Sequence, residues 1–185
     1  MSEKLGPATP HEWDGATILS YCGKSPVIHP SVWLAAGARV IGDVVLEEDA
    51  NVWFNAVIRA DVHKIRIGKR TNLQYGVVIH ATFEKYPTTI GSDVTVGHSA
   101  ILHACTVEDL CLIGMGSVVM DDVVVGTGSL VAAGTVVSPG TKIPPGSLVV
   151  GVPGKVRRPL TAEESHHLRV SADSYLQYVR NYRNG

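Results

Sequence analysis

The sequence predicts an all-β repeat architecture that ends in a single α-helix, and three observations carry that expectation. An aliphatic residue recurs every six positions over most of the chain. The composition combines 19 Gly and 10 Pro with many Val and Ile but only 2 Phe, which suits short strands and tight turns around a core too narrow for large rings. Where the repeat stops, a Thr-Ala-Glu-Glu string precedes an apolar stripe at helical spacing.

Residues 1–30 show no clear period, and Pro7, Pro10, Pro26 and Pro30 argue against a helix, so an irregular lead-in and a first strand are expected. The repeat occupies residues 31–155. Leu34, Val40, Leu46, Val52 and Ile58 are followed by a break at Asp61 to Arg66; Ile67, Leu73 and Ile79 by a second at Ala81 to Thr89; Ile90, Val96 and Leu102 come next, and the spacing then holds from Val107 to Val149. Four residues after each aliphatic stands a small or β-branched residue, such as Ala38, Ala56, Val77, Ala100, Ser117 or Thr135. Gly often follows the aliphatic directly, as at Gly42, Gly68, Gly91, Gly97, Gly114 and Gly126, where a side chain would crowd a turn or meet a positive φ.

This double register resembles the hexapeptide-repeat family, which implies a left-handed parallel β-helix with three hexads per coil. Residues 156–185 are expected to form a helix, with Thr161 as N-cap and Glu164 completing a capping box. Its apolar stripe, Leu168, Ala172, Tyr175, Leu176, Val179 and Tyr182, would pack along the prism of its own chain or of a neighbour.

Grouping three hexads to a coil fixes where side chains point, because each aliphatic faces inward and the next residue outward. On the third face the outward column reads Ile41, Arg59, His80, His103 and Met120. His80 and His103 therefore stack on successive coils, about 4.8 Å apart. Two imidazoles so placed can share one tetrahedral ion with metal–nitrogen bonds of about 2.0–2.1 Å. His98 falls on the second face, around a corner, and could complete the site from a neighbouring subunit. A site shared in this way at each interface predicts a homotrimer of C3 symmetry. His11, His29, His63, His166 and His167 have no such alignment and are expected to face solvent.

The strings Asn55-Ala-Val-Ile-Arg-Ala-Asp61, Asn72-Leu-Gln74, Ile79-His80 and Gly97-His-Ser-Ala-Ile-Leu-His103 resemble the γ-class carbonic anhydrases and their bacterial homologues. The resemblance implies that His80, His98 and His103 bind zinc, iron or cobalt at a trimer interface, two ligands coming from one subunit and one from the next; nickel also suits three imidazoles. It implies further that Arg59 and Asp61 pair across the interface, that Gln74 orients the metal-bound water, and that Tyr175 closes the pocket. The reaction implied is reversible, metal-assisted hydration of CO2 to bicarbonate. The chain departs from that pattern at two places: the loop from Ala81 to Thr89 has Glu84 as its only acid, where members carry an acidic loop with a shuttling glutamate, and Val62 stands where they carry a carboxylate. Two other readings remain open, a coenzyme A-dependent acyltransferase using one histidine as general base and a metal-binding trimer without activity that serves as an assembly module.

A net charge of -1 with 18% charged residues offers no polyanion-binding surface, so nucleic acid is not an expected partner. No apolar run approaches the roughly 18 residues that span a bilayer, and the first residues lack the pattern of a signal peptide, so a cytoplasmic location and no membrane association are expected. The 3 cysteines form no CxxC and an odd set, which argues against disulfides; Cys105 and Cys111 are expected to be structural.

Overall fold

The computed structural model describes residues 15–184 and is a parallel β-helix followed by one α-helix. His11 and the prolines at 7 and 10 lie outside the described residues. Each hexad supplies a short strand and a turn. On the third face the inward residues align coil upon coil, with Ile18 opposite Val40, Val40 opposite Ile58, Ile58 opposite Ile79, Ile79 opposite Leu102, and Leu102 opposite Val119. Val40, Ile58, Ile79, Leu102 and Val119 are fully buried, and so are the small residues Ala38, Ala56 and Ala100 that fill the corners between them. The repeat reaches back into the segment expected to be irregular, since Thr17–Leu19 and Val27–Ile28 pair in parallel with Arg39–Leu46.

The turns explain the rest of the hexad. The third residue after an inward aliphatic adopts a positive φ, as at Asn55 (61°), Ser99 (57°) and Asp122 (56°), and later coils use Gly there. The glycines that directly follow an aliphatic have a different reason. At Gly97 an added Cβ would stand 2.6 Å from the Met115 nitrogen of the next coil, so the position is empty because the backbone above it is close.

Two sheets result. One face is an eight-stranded sheet of its own, whereas the other two merge into a twelve-stranded sheet. The merger is made by the long strands Arg39–Leu46 and Val57–Ile67, which carry pairing around a corner. The first break in the repeat is therefore not a departure from the sheet. Asp61 to Arg66 stay within the strand, and Asp61, Val62, His63 and Lys64 together stand opposite Asp43, where the register shifts. Arg66 clamps this bulge through Nη2 to Asp43 Oδ1 (2.7 Å) and Nη1 to the Asp43 carbonyl (2.8 Å). The second break does leave the sheet, as a short loop closed by an antiparallel bridge between Thr82 and Tyr86.

After the last coil, Lys155–Pro159 pairs antiparallel with Ser147–Val150, an element the repeat pattern did not reveal. The capping box forms as expected: Glu164 N–H donates to Thr161 Oγ1 (3.1 Å) and Thr161 N–H to Glu164 Oε2 (2.8 Å). The helix, Ala162–Asn184, packs on the eight-stranded face of its own chain and runs back toward the first coils. Leu168, Ala172 and Val179 are buried beneath it, and fully burying a Leu or Val side chain contributes about 1.5–3 kcal/mol. The large rings that the prism cannot hold gather here. Trp33 and Trp53 lie edge to face at 4.7 Å between centroids, with Phe54, Tyr175 and Tyr182 around them.

Candidate metal centre

Strand register builds the core of the site. The strands Val78–His80 and Ile101–His103 pair so that His80 lies directly opposite His103. Both rings are partly buried, and His80 Nδ1 is 3.1 Å from His103 Nε2. Two nitrogens bound to one tetrahedral ion at ~2.0–2.1 Å would lie about 3.3–3.4 Å apart, close to the spacing of this hydrogen-bonded pair.

The outer nitrogens are engaged by carboxylates. His80 Nε2 lies 2.9 Å from Asp61 Oδ1, and His103 Nδ1 lies 2.6 Å from Asp121 Oδ1. Asp61 also accepts from Arg59 Nη1, and Asp121 from Thr82 Oγ1. Partial burial works against charge on Asp61, but hydrogen bonds from His80 and Arg59 outweigh it and hold the carboxyl below the usual range. At Asp121 burial is likewise outweighed by the hydrogen bonds from Thr82 and His103. Arg59 and Asp61, expected to pair between subunits, pair here within one chain along their own strand, because side chains two residues apart share a face.

The other expected residues lie elsewhere. His98 sits at the turn after Thr95–Val96, where its ring packs against Tyr75 at 5.2 Å between centroids. Gln74 occupies the outward column of the second face under the helix. Its Nε2 donates to Asn72 Oδ1 (3.2 Å), Asn72 Nδ2 to Thr95 Oγ1 (2.9 Å), and Thr95 Oγ1 to Ser171 Oγ of the helix (3.1 Å). Tyr175 shares with His98, Trp53, Tyr75, Tyr178, Asn181 and Tyr182 a cavity of about 380 Å³. Burial pushes the Tyr175 hydroxyl up to about 12, so it remains a neutral donor. Among the described residues no group of three or more His, Cys, Asp or Glu within one chain is arranged to hold a metal ion.

Residues 104–139 match the family model described as bacterial transferase hexapeptide (six repeats). A carbonic anhydrase of Geobacillus kaustophilus is 43% identical over 166 residues, covering 90% of this chain and 91% of that one. The chain belongs to the γ-carbonic anhydrase-like hexapeptide-repeat family. The mitochondrial gamma carbonic anhydrase 2 of Arabidopsis thaliana is 41% identical over 169 residues, 89% of this chain but 61% of the plant protein's length. The crystal structure of a hexapeptide transferase family protein from Anaplasma phagocytophilum superposes with a TM-score of 0.86 at 41% identity, covering 90% of this chain and 98% of that one.

Within this γ-carbonic anhydrase-like framework the chain presents two half-sites on different faces. One gathers Arg59, Asp61, His80 and His103; the other places His98 and Tyr175 on one cavity, while Gln74 lines a separate hollow with Thr95, His167 and Ser171. Sequence reasoning missed Asp121 and Tyr75. Tyr75 stands one coil before His98 in the same turn position, two residues after its inward aliphatic, so the repeat itself could have found it.

Proposed function

We propose that this chain is a metal-dependent enzyme that reversibly hydrates CO2 to bicarbonate, acting as a homotrimer whose sites each draw on two subunits. The observation that carries the reading is the His80–His103 pair, with opposed nitrogens at 3.1 Å and outer nitrogens held by carboxylates. The names of the Geobacillus and Arabidopsis relatives give the reaction. Three imidazoles, His80 and His103 of one subunit and His98 of the next, would hold the ion; zinc suits them, as do iron, cobalt and nickel. When bound, the ion supplies Lewis acidity that brings water's pKa from about 15.7 towards ~7.

The chain's own residues do the remaining work. Asp61 orients His80 and is itself steadied by Arg59. Gln74 Oε1, which forms no hydrogen bond among the described residues, is available to accept one from substrate water. The rings of Trp53, Tyr75 and Tyr175 give an uncharged substrate an apolar approach. Glu84 is exposed at the tip of its loop, and Val62 offers no carboxylate, so proton export to solvent falls to buffer. No helix among the described residues is long and apolar enough to cross a membrane, and free Cys22, Cys105 and Cys111 fit a reducing cytoplasm.

Metal content by elemental analysis, mass in solution and stopped-flow CO2 hydration test the proposal together. The expected result is one transition metal per chain, a trimer, measurable hydration, and loss of metal and rate in His98→Ala. Protein isolated without chelators and free of metal would overturn it; a metal-loaded trimer without hydration would favour the assembly-module reading. An acyltransferase reading is favoured by the transferase designation of the Anaplasma relative, and acyl transfer from a coenzyme A ester to an amine, undiminished by metal removal, would establish it.

A further inference from the structure

The turn after Val118–Val119 carries Asp121, whose carboxylate joins two separate parts of the chain. Oδ1 faces His103 Nδ1 at 2.6 Å and Oδ2 accepts from Thr82 Oγ1. An ionised carboxylate can only accept, so His103 donates from Nδ1 to Asp121 and turns its other nitrogen, Nε2, toward His80. We propose that Asp121 is a positioning residue that holds a proton on Nδ1 of His103 and fixes its ring direction, and that Thr82 in turn fixes Asp121. The short loop after His80 then serves to hold a metal ligand.

The supports on either side are themselves tied by backbone hydrogen bonds. Thr82 N–H donates to the Tyr86 carbonyl (3.1 Å), closing the loop, and the Asp121 carbonyl accepts from Gly140 N–H (2.8 Å), anchoring the turn to the next coil. Asp61 does for His80 what Asp121 does for His103, so each imidazole has one carboxylate behind it and one nitrogen in front. The inference rests on the metal reading only for its consequence, ion affinity; the hydrogen bond from His103 Nδ1 to Asp121 is a property of the metal-free chain.

The test uses full-length protein with 15N-labelled histidine, comparing wild type with Asp121→Ala, Asp121→Asn, Thr82→Val and the control Asp122→Asn. Asp122 is the adjacent turn residue, paired with Lys142 at 2.9 Å, away from the histidines. Ring-nitrogen shifts of the metal-free proteins report the hydrogen bond at His103 Nδ1, and chelator competition reports zinc affinity. Expected are a hydrogen-bonded Nδ1–H in wild type, its loss in Asp121→Ala, and zinc binding weakened about 10–100-fold there. Asp121→Asn, which keeps an acceptor but no charge, should fall between, Thr82→Val should shift the same way by less, and Asp122→Asn should match wild type. Unchanged zinc affinity or unchanged His103 ring-nitrogen shifts in Asp121→Ala overturn the proposal. Should that variant not fold, the near-isosteric Asp121→Asn and Thr82→Val decide in the same way. If wild type takes up none of zinc, iron, cobalt and nickel the metal reading fails, while the ring-nitrogen comparison still decides the part played by Asp121.

Discussion

Thr135 sits in the small inward register of the repeat with its Oγ1 buried and without a hydrogen-bond partner among the described residues. An unpaired buried hydroxyl costs about 1–3 kcal/mol, and Val has the same shape without it. Thr135→Val should therefore raise the free energy of unfolding by roughly 1–2 kcal/mol in denaturant titration. The two thiols expected to be structural are so: burial pushes Cys105 up to about 12 and Cys111 up to about 11, so neither is a thiolate at neutral pH. The opposed pair His80 and His103 was legible in the sequence because period and face fix both position and direction. Asp121 was not, because it lies one residue beyond the outward position, and its partner Thr82 belongs to an insertion whose path no period describes.

Among the elements, the six-residue period made most strands readable, while the path of the first insertion was not. A break in spacing says only that residues have been added; Arg66 and Asp43 decide that they bulge within a strand. Crowding at Gly97 makes a sharper statement. A Cβ there would push into the Met115 nitrogen, with backbone of Ile113 and Gly114 close by, and backbone cannot swing aside as a side chain can. Gly97→Ala should destabilise the fold by about 1–3 kcal/mol and displace the adjacent His98, read as a lowered melting temperature and weakened metal retention. The helix start gives a pH signature. The salt bridge from Arg158, with the Thr161 N–H, draws Glu164 down to about 2 from an ordinary value near 4.5. A carboxyl depressed in the folded state contributes stability that is present above its unfolded value and is lost as pH falls through the folded one. Helix content should accordingly decline from about pH 4.5 to pH 2, and Glu164→Gln should flatten that limb in circular dichroism.

For the whole molecule, the proposed division of the site between two subunits makes a prediction that a one-chain site would not. His98→Ala spoils one half and His103→Ala the other, and each variant alone should be inactive. Unfolded together and refolded, the two should form mixed trimers in which one interface joins an intact pair to an intact His98. Recovery of activity and metal in the mixture, and in neither parent, checks this; no recovery would place all three ligands in one chain. The helix bears on the molecule in another way. A stack of coils touches only nearest neighbours, and such chains tend to fray from their ends. Here Thr95 meets Ser171, Arg70 meets Asp173 at 2.5 Å, Trp33 meets Tyr182, and the Ser31 carbonyl accepts from Arg183 at 2.9 Å, so one rod touches coils far apart along the axis. A ladder with a rail along its side cannot lose a rung singly. The solenoid should thus open in one cooperative step rather than coil by coil, and the helix that looks like an appendage in the sequence sets that cooperativity.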